Sequence, residues 1–575
     1  MKNLKMRLSE AVSAILGEMG AEISPCDVYS LIEYPPDPKM GDLALPCFRF
    51  AKALRKAPQM IAQSVAEKLS VDGIIAVEVA GGYVNSHIDP TYLGSVILPE
   101  ILDKKENYGR SDIGKGKTVV LDYSSPNICK PFHIGHLGTT VIGHSIKKMH
   151  EFCGYNCVGI NYLGDWGTQF GKLIVAYKKW GNKDAVDQNG VDELVDLYVR
   201  INNEIDGDPE NGIPANTALA DEARAEFKKL EMGDRENLDL RNWFKEISMR
   251  EYQKTYDQLG ITFDSYKGES FYTDKMPAQV EKIREMGLLK IDDGASIVDL
   301  SEYKMPPCLI LKRDGTTLYP TRDIAAAVDR KEEYDFDKCI YVTSNQQSLH
   351  FKQWFKVVEL MGYDWHDKLV HVPYGTISVA GVKLSTRHGN VLLLRDVFAQ
   401  AIDKVRAVID EKNPDLENKE ETAEAVGVGA IIFHYLLGGI GKDSSFIMDD
   451  ALSFDGNTGP YAQYTYARTC SVLEKAGEPA TDECILTNGI EGNLVKVLAK
   501  YGETVEKALN EYEPSGITRY ILDVCAAFNR FYHECSIMNA ENEVIKATRI
   551  KLVKATNYVL GSALPLICLK TPEKV

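Results

Sequence analysis

The sequence has 575 residues, with 66 Lys and Arg against 83 Asp and Glu for a formal charge of −17, and 44% hydrophobic residues. That length predicts about three to five domains, and the composition excludes a collagen-like, mostly disordered or polytopic membrane chain. The acidic balance argues mildly against a polyanionic partner, because nucleic-acid binders usually carry a basic footprint. In the opening MKNLKMRLSEAVSAILGEMG, Leu4, Leu8, Val12 and Leu16 recur every fourth residue, which predicts an amphipathic helix and not a secretory signal. No window reaches about 18 uninterrupted apolar residues, so no membrane span is expected. A Pro-rich turn at Pro35, Pro36 and Pro38 leads to a helical run over 51–69 and an alternating strand pattern over 82–88. The Gly/Lys-rich connector 109–117 closes an α+β unit of residues 1–110. From 117 to about 440 the pattern is α/β. The runs 118–123 and 156–162 read as buried strands, with a helical stretch from about Gly135 between them. Strand, loop, helix, strand is the unit of a parallel doubly wound sheet, whose ligands bind beyond the C-terminal strand ends. Residues from about 175 to 260 read as a helical insertion. Within it, 183–210 hold nine acids and two bases, −7 of the total −17, expected as a solvated face. From about 445 to 575, helical spacing predicts an all-α bundle. The twelve cysteines include no Cys-x-x-Cys pair, so free thiols in a reducing cytoplasm are expected, not a zinc site.

The most informative segment runs Asp122-Tyr123-Ser124-Ser125-Pro126-Asn127-Ile128-Cys129-Lys130-Pro131-Phe132-His133-Ile134-Gly135-His136, from a predicted strand into a predicted helix. Such a junction offers unpaired backbone N–H groups and a favourable dipole to an anion. Gly135 removes a side chain, so a planar ring or a phosphate can approach the backbone. His133 and His136, three apart at the helix start, can both face that point as donors.

His-Ile-Gly-His after a strand resembles the signature of class I aminoacyl-tRNA synthetases. The longer run Ser-Ser-Pro-Asn-x-x-Lys-Pro-x-His-x-Gly-His resembles the arginyl-tRNA synthetase family. The resemblance continues through Gly164-Asp165-Trp166-Gly167-Thr168-Gln169-Phe170-Gly171, Gly268-Glu269-Ser270 and Tyr319-Pro320-Thr321-Arg322-Asp323-Ile324-Ala325. It extends to Lys383-Leu384-Ser385-Thr386-Arg387, Gly459-Pro460-Tyr461-Ala462-Gln463-Tyr464 and Pro572-Glu573-Lys574, in the family's order over nearly the whole chain. It implies a Rossmann-type parallel-sheet catalytic domain with a helical insertion, an N-terminal tRNA-binding domain and an all-α anticodon-binding bundle. The implied reaction activates L-arginine with ATP to arginyl-adenylate and transfers the arginyl group to the terminal ribose of tRNA(Arg). Mg²⁺ is expected with ATP and no metal held by the protein itself; the family expectation is a cytoplasmic monomer.

The resemblance places His133, His136, Lys130 and Lys383 in catalysis. It places ATP on His133, Gly135, His136, Lys383 and Ser385. Arginine falls to Asp122, Ser125, Pro126, Asn127, His136, Tyr319, Asp323 and Gln347, with Gln346 an alternative to Gln347. The loop departs from the family's Lys-Met-Ser-Lys-Ser, since Thr386 stands where the second lysine would be; Lys130 is the implied substitute. Asp122 stands where many members have Glu, one methylene longer. A guanidinium is planar, permanently charged and rich in donors, so its pocket needs a carboxylate and neutral acceptors. Tyr319 and Asp323, four apart on an apparent helix, share a face and meet that demand; the alternative for Asp323 is a pair with adjacent Arg322. Lys52, Arg55 and Lys56 at one end of the chain, and Lys546, Arg549, Lys551 and Lys554 at the other, are candidate phosphate contacts. Tyr461, Tyr464 and Tyr466 fit either base stacking or helix packing. Two alternatives stay open: another nucleotidyl-transferring enzyme of the His-x-Gly-His type, and a tRNA-binding relative without catalysis.

Overall fold

The computed structural model describes residues 1–207, 214–313, 318–379 and 393–575. Lys383, Ser385 and Thr386 lie outside the described residues. The first helix, Lys2–Glu18, buries Leu4, Leu8, Val12 and Leu16 in one core with Leu43, Leu45 and Val84. Those last residues belong to a three-stranded antiparallel sheet of β1 (Leu43–Pro46), β2 (Ile74–Ala80) and β3 (Tyr83–Ile88), ordered β1-β3-β2. The expected single helix over 51–69 is two helices, Ala51–Leu54 and Pro58–Lys68. Arg55 turns left-handed at φ 51° and Ala57 is extended. Pro58 drives the break, because a residue before proline is pushed out of the α region while proline itself suits a first helical turn.

The central unit carries a four-stranded parallel sheet ordered β10-β9-β4-β5. Here β4 is Thr118–Asp122 and β5 is Asn156–Ile160, joined by the crossover helix Ile134–Phe152. Helices from Thr168–Trp180 to Arg235–Leu259 follow β5, then an antiparallel meander of β6 (Leu289–Asp292), β7 (Ala295–Val298) and β8 (Cys308–Leu311). The chain re-enters the sheet as β9 (Lys338–Ser344) and leaves it with β10 (Leu369–Tyr374). Val119, Val120 and Leu121 are fully buried, as expected of a strand covered on both faces. From β4 the connections run outward to β5 on one side and to β9 and β10 on the other. The crevice between β4 and β9 is therefore the switch point where such sheets bind ligands. In the insertion, Val186, Leu194, Leu197, Ile201 and Ile205 are buried, whereas Asp184, Asp187, Asp196, Glu204 and Asp206 are exposed.

Beyond the sheet, helices Leu394–Lys412 and Lys419–Leu437 lead to a bundle ending in Ser515–Glu534 and Glu543–Leu566. The N-terminal unit docks on this bundle through polar contacts: Lys5, Tyr29 and Tyr34 all donate to Glu503, and Lys496 pairs with Asp42 at 2.8 Å. The basic run of the last helix corrects an expectation. Arg549 is buried and donates from Nε to Glu491 at 2.8 Å, and Lys551 is buried and donates to the Glu483 carbonyl at 3.1 Å. Lys554 pairs with Glu478. Other segments supply the acids and the carbonyl that the run itself lacks, so Arg549 and Lys551 hold the bundle and are not surface phosphate contacts.

Candidate active site

The site begins where β4 ends. Ser124, Ser125 and Cys129 take positive φ values of 70°, 48° and 63°, turning the loop across the strand ends. Left-handed conformations of ordinary residues cost about 1–3 kcal/mol and persist only where surroundings fix them. Here Ser124 N–H donates to Thr139 Oγ1, Ser125 N–H to Asn161 Oδ1, and the Tyr252 hydroxyl to the carbonyls of Asn127 and Lys130. Gly164 N–H donates to the Pro126 carbonyl at 3.1 Å. A Cβ on Gly164 would lie 2.2 Å from Asn127 Oδ1, so any side chain there would displace the Asn127 amide. Pro126 thus shapes the loop and does not line the cavity.

His133 caps the helix Ile134–Phe152. Gly135 N–H donates to His133 Nδ1 at 3.0 Å and His133 N–H donates to His136 Nδ1 at 3.2 Å. With each Nδ1 accepting, the proton of each neutral ring sits on Nε2, leaving an Nε2–H donor on both. The two rings lie 3.8 Å apart. Burial, reinforced by the charge of Lys130, holds His133 down at about 4. Burial, then His133 and Lys130, holds His136 well below its ordinary value. Both rings are therefore neutral donors at pH 7.

A cavity of about 540 Å³ opens over the ends of β4, β9 and β10, within the usual range for small-molecule sites of about 300–1,000 Å³. It brings together Asp122, Ser125, Asn127, His136, Tyr319, Asp323 and Gln347, with Gln346 beside Gln347. His133, Gly135 and Lys130 belong to the adjoining loop and helix start. Tyr319 and Asp323 project from one face of the helix Tyr319–Tyr334, and Tyr319 is 65% exposed. Asp323 does not pair with Arg322, which instead donates to Glu269 at 3.2 Å; Asp323 Oδ2 accepts from His350 Nε2 at 2.6 Å.

Asp122 sits on the cavity floor with both oxygens engaged. Arg330 Nη2 donates to Oδ2 at 2.7 Å and Ser125 Oγ to Oδ1 at 2.9 Å. The Arg330 guanidinium lies 5.2 and 5.4 Å from the rings of Tyr162 and Tyr341, within cation–π range. Asp122 thereby anchors Arg330 and Ser125 while it lines the cavity. Three further lining residues escaped the sequence reading as site residues: Glu269, Arg330 and His350. Burial raises the Glu269 carboxyl to about 7, with Arg322 opposing. Arg330 carried a usable signal, since it lies seven residues after Asp323 on the same helical face. Among the described residues, no group of three or more His, Cys, Asp or Glu side chains is placed to hold a metal, and no helix is long and apolar enough to cross a membrane.

Three family models match the chain. Residues 2–88 match the arginyl tRNA synthetase N terminal domain, 97–439 the class I (R) tRNA synthetase catalytic domain, and 462–575 the DALR anticodon binding domain. An arginine–tRNA ligase of Clostridioides difficile is 49% identical, covering 98% of this chain and 99% of the relative. One of Halothermothrix orenii is 47% identical over the whole of both chains. The fold matches that of Thermus thermophilus arginyl-tRNA synthetase with a TM-score of 0.82 over the full length of both chains at 24% identity. It matches arginyl-tRNA synthetase from Plasmodium falciparum at 0.80, over all of this chain and 99% of the other, also at 24% identity.

Proposed function

The chain belongs to the arginyl-tRNA synthetase family, and we propose that the cavity at the β4–β9 switch point is where it activates arginine. Its activity is the ATP-dependent charging of tRNA(Arg) with arginine. Asp323 and Glu269 hold the guanidinium, with the Tyr319 hydroxyl accepting a further donor. The observation that carries this assignment is the presence of both carboxylates in one cavity with the Tyr319–Asp323 face. An arriving guanidinium favours the ionised form of Glu269, whose carboxyl otherwise titrates near 7. Ser125, Asn127 and Gln347 position the amino and carboxylate end, and Asp122 holds Ser125 and Arg330 beneath it.

In the first step a carboxylate oxygen of arginine bonds to the α-phosphorus of ATP as the bond to pyrophosphate breaks. The protein contributes position and charge stabilisation. His133 and His136 donate Nε2–H groups to phosphate oxygens at the positive end of the helix, where Gly135, lacking a Cβ, makes room for the capping His133 ring rather than for a ligand on the backbone. Lys130, whose charge is felt by both rings, takes the place of the cation missing at Thr386 and stabilises departing pyrophosphate. Lys383 and Ser385 retain phosphate roles by their motif. Mg²⁺ arrives with ATP, held by phosphate oxygens and water. The adenylate then passes its arginyl group to the terminal ribose hydroxyl, releasing AMP. The N-terminal unit meets the outer corner of the tRNA and the bundle meets the anticodon. A cytoplasmic monomer completes the reading; twelve unpaired cysteines support a reducing compartment.

The assignment is tested with Asp323→Asn. Loss of a charge-assisted contact of roughly 2–3 kcal/mol raises the KM for arginine by about 30- to 150-fold, with the KM for ATP little changed. An unchanged arginine KM in steady-state aminoacylation removes Asp323 from the pocket's function.

A further inference from the structure

Three carboxylates line the cavity, and each has a resident basic partner. Arg330 holds Asp122 at 2.7 Å, Arg322 holds Glu269 at 3.2 Å, and His350 holds Asp323 at 2.6 Å. The two arginines are permanently charged. Imidazole alone can shed its charge near neutrality. We infer that His350 is the positioning residue for Asp323, fixing the carboxylate that meets the guanidinium when neutral and competing with arginine when protonated. The inference rests on the substrate role given to Asp323 above.

An ionised carboxylate only accepts, so the bond fixes the proton on His350 Nε2. In the neutral state that N–H orients one carboxylate oxygen and leaves Asp323 its full charge. In the protonated state a cation sits against the same oxygen, and the incoming guanidinium meets a like charge. His350 lies in the first turn of the helix Ser348–Leu360 and meets Phe351 edge-on at 5.5 Å. Phe351 in turn stacks on His371 at 4.3 Å and 7°. His371 Nε2 shares a hydrogen bond of 2.9 Å with Thr343 Oγ1, joining β10 to β9. The titratable groups facing His350 are Asp323 from the helix Tyr319–Tyr334 and His371 from β10, and the charge of Lys352, from the helix of His350, also reaches His371. Burial, followed by the charges of His350 and Lys352, keeps His371 neutral down to about 4, so it does not share the titration. Burial raises Glu269 to about 7, and its protonation likewise weakens arginine binding.

The test compares His350→Gln, which retains a side-chain N–H donor but no titration, with His350→Ala and wild type. The arginine KM is measured in aminoacylation at pH 8 and pH 6, with ATP and tRNA saturating. The ratio of wild-type to His350→Gln KM cancels the shared titration of Glu269. That ratio stays within about threefold of unity at pH 8 and rises by roughly five- to tenfold at pH 6. His350→Ala raises the arginine KM on the order of tenfold at both pH values, through loss of the orienting bond. The KM for ATP is unmoved in either variant. A ratio that is flat from pH 8 to pH 6, or a His350→Gln defect at pH 8 as large as that of His350→Ala, overturns the inference. Asp323→Asn run alongside separates the two levels. If it raises the arginine KM while the ratio stays flat, only the role of His350 fails; if it leaves the KM unchanged, the substrate role of Asp323 fails and the inference with it.

Discussion

Replacing Arg330 by Met tests the floor of the arginine cavity. Arg330 is 1% exposed and its partner Asp122 7% exposed, with 2.7 Å between Nη2 and Oδ2. Removing one member of a buried pair leaves an uncompensated charge and typically costs about 3–5 kcal/mol. For a unit of a few hundred residues that corresponds to a fall in Tm on the order of 5–10 °C. The chain can limit the damage by protonating Asp122. Burial already pushes that carboxyl up, and Arg330 is the first force opposing it. In Arg330→Met the folded-state pKa of Asp122 therefore rises further above its unfolded value. The folded state then binds a proton that the unfolded state does not, so stability falls as pH rises through that window. The deficit should be larger at pH 8 than at pH 6. Adding Asp122→Asn to Arg330→Met removes the stranded charge and should recover most of the loss. Thermal melting of wild type, single and double variants at the two pH values decides the matter. A single variant that melts with wild type, or a double variant no better than the single, refutes the account of Arg330 and Asp122 as a mutually dependent pair.

Lys130→Ala should slow adenylate formation at least tenfold, about 1.4 kcal/mol of transition-state stabilisation, while the arginine KM moves little; single-turnover measurement of the activation step checks it. Acidification should destabilise the fold. His133, His150 and His371 are held by burial at about 4, and His144 at about 3. Between their unfolded value near 6.5 and those folded values, the unfolded chain takes up protons that the folded chain does not. Stability present above about 6.5 is thus lost as pH falls toward 4. Glu269 and the other raised carboxyls, Asp122, Asp196 and Asp523, act oppositely, their contribution weakening as pH rises, while His136, also held low by burial, adds to the four histidines. A Tm at pH 5 equal to or above that at pH 7.5, at matched ionic strength, contradicts this. Arg549→Met should lower the melting of the C-terminal bundle by stranding buried Glu491, at about 3–5 kcal/mol. The salt dependence of tRNA binding should stay as in wild type, because a buried cation releases no counterion; a shallower salt slope would place Arg549 on the tRNA surface after all.

What the sequence made legible was local. The first helix needed only its four-residue apolar spacing, and the strand-to-helix junction at His133 needed only its neighbours. The break at Arg55–Ala57 was present as Pro58 but was overridden by helical periodicity on either side. Long-range pairing was hidden. Arg549 and Glu491 stand 58 residues apart, and Arg330 and Asp122 stand 208 apart. A basic run with no acid nearby reads as surface until the fold supplies acids from elsewhere. Asp122 shows the same effect: its motif marked it as substrate-facing, while the fold engages both of its oxygens with Arg330 and Ser125.

The charge of the site follows a different logic from that of the chain. Three carboxylates within one partly closed cavity would repel strongly and bear a large desolvation cost without counterions. Arg330 and Arg322 offset two of them, and His350, when neutral, offsets none. With Glu269 in the ionised form that an arriving guanidinium favours, one net negative charge remains, which equals in magnitude the single positive charge of a guanidinium. Such a pocket meets the guanidinium's charge without leaving a surplus buried charge after binding. Protonation of His350 would reduce the net charge to zero and remove the electrostatic reason for arginine to bind. The formal −17 of the whole sequence carries no trace of this balance, and it misleads about the tRNA for a related reason. Its largest acidic segment lies in the insertion, where Asp184, Asp187, Asp196, Glu204 and Asp206 are exposed, while several cations are consumed inside the protein. What decides binding is the local set of charges left uncompensated, and for arginine that set reduces to the carboxylate of Asp323 and the imidazole against it.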